Sequence, residues 1–125
     1  MMFKQDGRLA TYLYDQDPKK KYGVGKTGAR AFRPGKWQKV VYKMKLNDAG
    51  KKNGAVSVEV DGRRIVSSRG IEFRGVDGEH TLINHFLFST FHGGHDPSWA
   101  PKDKKGGYTT VHAWLDNLVV TEGVN

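Results

Sequence analysis

The sequence predicts an all-β protein, an antiparallel jelly-roll β-sandwich, on three observations. Apolar and polar residues alternate with a period of two along several short runs. Gly, Asp and Pro turns separate those runs, and no stretch carries the periodicity of a long helix. The chain has 125 residues, of which 37% are hydrophobic, enough for one thin two-layer core. A single domain over residues 1–125 is therefore expected.

The strands follow in order. Arg8 to Tyr14 places Ala10, Tyr12 and Tyr14 on one face and Thr11 and Leu13 on the other. Asp15 to Lys36, rich in Gly, Pro and Lys, reads as a long loop. Its GVGKTG lacks the spacing and the strand-then-helix context of a phosphate-binding loop. Trp37 to Leu46 puts Val40, Tyr42, Met44 and Leu46 on an apolar face and Lys39, Val41, Lys43 and Lys45 on a basic one. Asn47 to Gly54 is a polar turn. Val56, Val58 and Val60 alternate in the next strand, Asp61-Gly62-Arg63 fits a tight hairpin turn, and the return strand carries an irregularity at Gly70. Thr81 to His92 is the longest alternating run, and Tyr108 to Val120 supplies a last strand or strand pair.

Charge narrows the partner. The 21 Lys and Arg against 13 Asp and Glu give +8. Residues 1–54 hold 14 basic and 4 acidic side chains, and residues 55–125 hold 7 and 9. A basic first half concentrates polyanions, either nucleic acid or an acidic polysaccharide. No nucleic-acid motif is present, and no apolar run is long enough to span a membrane. The absence of cysteine excludes disulfides and thiolate chemistry. The N-terminus lacks the apolar core of a signal peptide, which leaves the compartment open.

The stretch FSTFHGGHDPSWAPK, followed by AWLDNLVV, resembles the C-terminal strands of polysaccharide lyase family 14, the alginate lyases, and of the related glucuronan lyases. MMFKQDGRLATYLYDQ, RPGKWQKVVYKMKLN, NGAVSVEVDGR and SSRGIEFR agree with that family in order. The resemblance implies a jelly roll with a concave binding sheet and β-elimination on uronate polymers, without a cofactor. It implies Tyr12 and Tyr14 as the catalytic pair. It also implies that the family's essential lysine and Ser-x-Arg pair precede Met1. On that reading the chain is the C-terminal part of the domain, its sandwich either incomplete or completed by dimerisation or strand exchange. A polymer of this size is met outside the cell or in a digestive compartment.

Lys39, Lys43, Lys45, Arg69, Arg74, His85, His92 and Trp99 are the candidate substrate contacts. Each carries an ordinary structural reading too. The lysines read as a solvated face, His85 as a hydrogen-bonded core histidine, and Trp99 and Trp37 as strand-end aromatics. Trp114 reads as core, and Arg63 and Arg64 as solubilising residues beside the turn. His92, His95 and Asp96 are close together, but zinc needs three or four converging ligands and His80 and His112 are distant in sequence, so no metal is expected. Asp96 is expected to cap its loop through backbone hydrogen bonds. A non-catalytic carbohydrate-binding module on the same sandwich is the alternative to a lyase.

Overall fold

A computed structural model describes residues 1–4, 6–17, 21–88 and 96–123. The chain divides into two compact units, Met1–His85 and Phe86–Asn125. The first unit holds two three-stranded antiparallel sheets, so the chain is all-β with sheets that do not close. One sheet runs β1 (Met2–Phe3), β2 (Arg8–Leu13) and β3 (Val24–Arg30), and the other β4 (Val40–Lys45), β5 (Gly54–Val60) and β6 (Arg63–Ile71), each in that spatial order.

The valines of β5 explain the second sheet. Val56, Val58 and Val60 alternate with partly exposed Ala55, Ser57 and Glu59, so one face is buried and the other faces solvent. The hairpin turn at Asp61 and Gly62, with φ of 50° and 77°, supplies the left-handed pair that a two-residue connection needs. It sets Val58 opposite Val66 and Ser57 opposite Ser67, with the expected irregularity at Gly70. On the other side Tyr42 pairs with Val58 and Lys43 with Ser57.

Leu9 of β2 is fully buried and packs with Ala31, Val58, Val60 and Val66, bordered by Phe32, Val40 and Ile65. Burying a side chain of this kind contributes about 1.5–3 kcal/mol. Leu9 thus puts its face of β2, shared with Thr11, toward the core; Ala10 is buried on the other face, and the inner face of β5 is its valine row. The two layers meet along β3 and β6, where a β-carbon on Gly28 would run into the Ile65 carbonyl oxygen. Lys26 Nζ donates to the Ser67 carbonyl at 2.5 Å, and Arg63 Nη2 donates to the Arg30 carbonyl at 2.8 Å.

Two polar side chains fasten the loops. Asn47 is buried at 1% exposure; its Oδ1 accepts the N–H groups of Phe73 and Arg74, and its Nδ2 donates to the carbonyls of Asp48 and Arg74. Asp61 accepts from the Lys39 N–H at 2.9 Å, from Gln38 Nε2 at 3.0 Å and from Arg33 Nη2 at 3.3 Å. Bonding to Gln38, then to the Lys39 N–H, with Arg33 beside it, holds the Asp61 carboxyl below its usual range.

Three expectations are corrected. The stretch assigned to a long loop, 15–36, contains β3. GVGKTG lies across its start, so the motif is a strand and not a phosphate-binding loop. In the run 81–92, the described residues 82–88 form no ladder, and 89–95 lie outside the described residues. Tyr108 to Val120 forms no strand either, apart from one bridge between Tyr108 and Lys102. Alternation makes a segment fit for a sheet, but a ladder also needs a neighbour, and these segments have none among the described residues.

In the second unit, Asp96 Oδ1 accepts the Ser98 N–H at 2.6 Å and caps the short 3-10 turn Pro97–Trp99, as the sequence suggested. That bond draws the Asp96 carboxyl below its usual range. Trp114 is 74% exposed, against the expectation of a core position.

Asn47→Ala leaves two buried N–H groups without an acceptor and should lower unfolding stability by at least about 2 kcal/mol, read from denaturant midpoints. Asp61 sets an acid limit. Because its carboxyl titrates lower in the folded chain, the stability it contributes is present above the ordinary carboxyl value of 3.8 and is lost as pH falls through its folded value. Asp61→Asn should flatten the acid limb of a stability profile taken from about pH 2 to 6.

Candidate functional site

Tyr12 lies on the face of β2 opposite Leu9, the outer face of the first sheet, next to buried Ala10 and itself partly exposed. It lies opposite Gly25 in the β2–β3 register. A β-carbon on Gly23 would stand 2.7 Å from the Tyr12 ring and 2.7 Å from the Leu13 carbonyl oxygen, so the ring occupies room that only glycine leaves. Tyr14 meets it edge to face, with ring centroids 5.4 Å apart and planes at 86°. The sequence-predicted pair is thus one cluster.

Tyr12 holds its proton more tightly than an ordinary tyrosine. Partial burial is the main cause, followed by the charge of Tyr14 and a hydrogen bond to its hydroxyl. Tyr22 adds to the shift and a hydrogen bond with the Gly23 backbone opposes it. Tyr22 was not singled out by sequence reasoning; its position beside Gly23 was the available signal. Its ring carries Lys21 Nζ at 5.6 Å from the centroid.

The candidate cations sit elsewhere. Lys43 and Lys45 leave β4 on the face opposite the buried valine row, since their partners are Ser57 and Ala55. Arg69, opposite Ala55 from the β6 side, shares that face. This is the outer face of the second sheet, while Tyr12 is on the outer face of the first. The structure therefore joins Tyr12 to Tyr14, and Lys43 to Lys45 and Arg69, but not the two groups to each other.

Lys39 precedes β4, its backbone held to Asp61 by bonds of 2.9 Å in both directions. The Arg74 guanidinium is engaged internally, with Nε donating to the Asn47 carbonyl at 2.9 Å and Nη1 to Asp77 at 3.1 Å. Its side chain is only 16% exposed. His85 is exposed, contrary to the core reading, with Nδ1 at 2.7 Å from Asn84 Oδ1. His92 and the Trp99 side chain lie outside the described residues. Among the described residues no group of three His, Asp or Glu side chains is arranged to hold a metal ion, and no helix is long and apolar enough to cross a membrane.

Arg64, read from sequence as a solubilising residue, reaches Glu59 at 3.7 Å from one side while Lys43 reaches it at 3.3 Å from the other. The hairpin register was the signal that could have placed it, because it sets Arg64 opposite Glu59.

A family model described as polysaccharide lyase 14 matches residues 1–110. The chain belongs to polysaccharide lyase family 14. No curated protein and no solved structure matched it. Family membership supports a polysaccharide-type ligand and a polysaccharide-lyase-type function in general terms. The matched span includes both the tyrosine cluster and the cationic face.

Five tyrosines are present, and burial also raises the value of Tyr42. An ultraviolet phenolate titration should show late-ionising components from Tyr12 and Tyr42. Tyr12→Phe should remove one of these and Tyr42→Phe the other; a curve unchanged by Tyr12→Phe would contradict the account of the cluster.

Proposed function

We propose that the tyrosine cluster is the reacting centre of an acidic-polysaccharide lyase, of the alginate or glucuronan type, that cleaves by β-elimination at a uronate residue. The observation that carries this reading is the edge-to-face Tyr12–Tyr14 cluster in a family 14 chain, in which the Tyr12 hydroxyl holds its proton more tightly than usual. Tyr14 as phenolate takes the C5 proton. The released electron pair forms the C4–C5 double bond, the C4–O4 bond breaks, and O4 leaves with its electrons and takes the Tyr12 proton. Tyr14 then returns a proton to the adjacent Tyr12, which restores both groups. The uronate carboxylate must be neutralised to make its C5 proton removable, and Lys21, over the Tyr22 ring, supports that role.

The two open sheets also fit the C-terminal part of the family's domain, which a second copy would complete. A second reading, a binding module without turnover, is favoured by the separation of Lys43, Lys45 and Arg69 from the tyrosines. Those cations can hold a polymer without involving Tyr12.

Alginate, glucuronan and polymannuronate incubated with the chain should yield the ultraviolet absorbance of an unsaturated uronate. Tyr12→Phe should lower kcat by ~10²–10⁴-fold, the usual contribution of general acid–base catalysis, and leave polymer affinity unchanged. Turnover that rises more than linearly with protein concentration would support completion by a second copy. A flat trace from folded, polymer-binding protein would decide for the module.

A further inference from the structure

The outer face of the second sheet has the relief of a trough. Its floor is β5, where the outward residues Ala55 and Ser57 are short; Lys43 and Lys45 rise along the β4 side and Arg69 on the β6 side, which is low at Ser67. Lys45 and Arg69 stand on either side of Ala55, two strand spacings or about 9.6 Å apart at the backbone. One row further along β5, Lys43 stands across Ser57 from Ser67. The next row closes that end, where Glu59 pairs with Lys43 and Arg64.

The charges are unevenly committed. Lys43 and Arg64 are engaged by Glu59, whereas neither Lys45 nor Arg69 takes part in an ion pair among the described residues. Lys45 contributes only a minor electrostatic pull on Asp48, whose carboxylate is bonded mainly to Asn53 and Lys51. The mouth of the trough therefore presents two available cations, the middle presents serine hydroxyls, and the closed end is filled by the Lys43–Glu59–Arg64 group.

We infer that this face is a second polymer-binding site, separate from the tyrosine cluster, which holds an acidic polysaccharide through the carboxylate of one sugar at Lys45 and Arg69 and the hydroxyls of its neighbour at Ser57 and Ser67. The inference rests on the uronate reading above for the class of polymer. The mixture of groups favours a sugar over a nucleic acid. A uronate chain carries carboxylates for the cations and hydroxyls for Ser57 and Ser67. The trough also lacks an aromatic residue on which a base could stack; its outward positions on β4, β5 and β6 are Val, Lys, Ala, Ser, Glu and Arg. An arginine fork beside a lysine point charge suits carboxylates repeated along a flexible chain.

Binding should be measured by titration calorimetry on the full chain carrying Tyr12→Phe, so that the probe polymer stays intact. The probes are alginate, a neutral glucan and single-stranded DNA at one ionic strength. Lys45→Gln with Arg69→Gln should raise the alginate Kd roughly tenfold or more, leave the late Tyr12 titration of the otherwise unaltered chain in place, and leave the glucan unbound. Lys45→Arg should restore most of the affinity when Arg69 is kept. An unchanged alginate Kd in the double variant would overturn the site, as would DNA competing with alginate at equal affinity. Both substituted positions are exposed, and matching circular dichroism of the variants confirms that each comparison is between folded chains. The two proposals fail separately. Loss of Kd with a flat elimination assay overturns the lyase and keeps the trough, while turnover with an unaltered Kd overturns the trough alone.

Discussion

The contact between Leu9 and the valine row of β5 fixes nearly everything else in the first unit. Leu9 and Val58 are both fully buried, and the side-chain period of a strand is two, so orienting these two residues orients every other residue on their strands. Once Leu9 points inward, Tyr12 must point outward. Once Val58 points inward, Ser57 and its partners Lys43 and Ser67 must face the other way. The opposite placement of the tyrosines and the cations is therefore a result of core packing. A slip of one residue in either strand would bury a charged or polar row and expose the core.

The polar residues then hold the connections that the hydrophobic contact leaves loose. Asn47 uses its whole amide to tie the end of β4 to the segment after β6, and Arg74 reinforces that tie from the same place. Asp61 does the same at the opposite end of the sheet, where a residue that begins as a turn former also organises Arg33, Gln38 and Lys39. A net bond of this kind contributes about 0.5–1.5 kcal/mol, yet an unpaired buried group costs more, so these ties matter most when broken.

The second sheet was legible in the sequence because its signals are local. Alternating valines, an Asp-Gly turn and a glycine irregularity each state their role within a few residues, and the structure places them as read. The pairing of Tyr12 with Tyr14 was legible for the same reason, since two residues of spacing put both on one side. What was not legible depended on partners remote in sequence. β3 was hidden because the glycines at its start and within it read as loop, although Gly23 makes room for the Tyr12 ring and Gly28 for the edge of β6. The separation of lysines from tyrosines was invisible because sequence gives the faces of a strand but not which layer covers which face. Arg74 and His85 were misjudged in opposite directions: the arginine is held inside by Asn47, and the histidine stands exposed.

The glycines before and within β3 also bear on how this surface can evolve. At positions 23 and 28 the neighbouring atoms leave no room for a β-carbon, so selection has no side chains to work with there. Natural variation in what the tyrosine face accepts must then arise at its margins, through Tyr14, Tyr22 and the residues leading into β3. The strand beneath is a fixed bed, and the repertoire of the site is written around its rim.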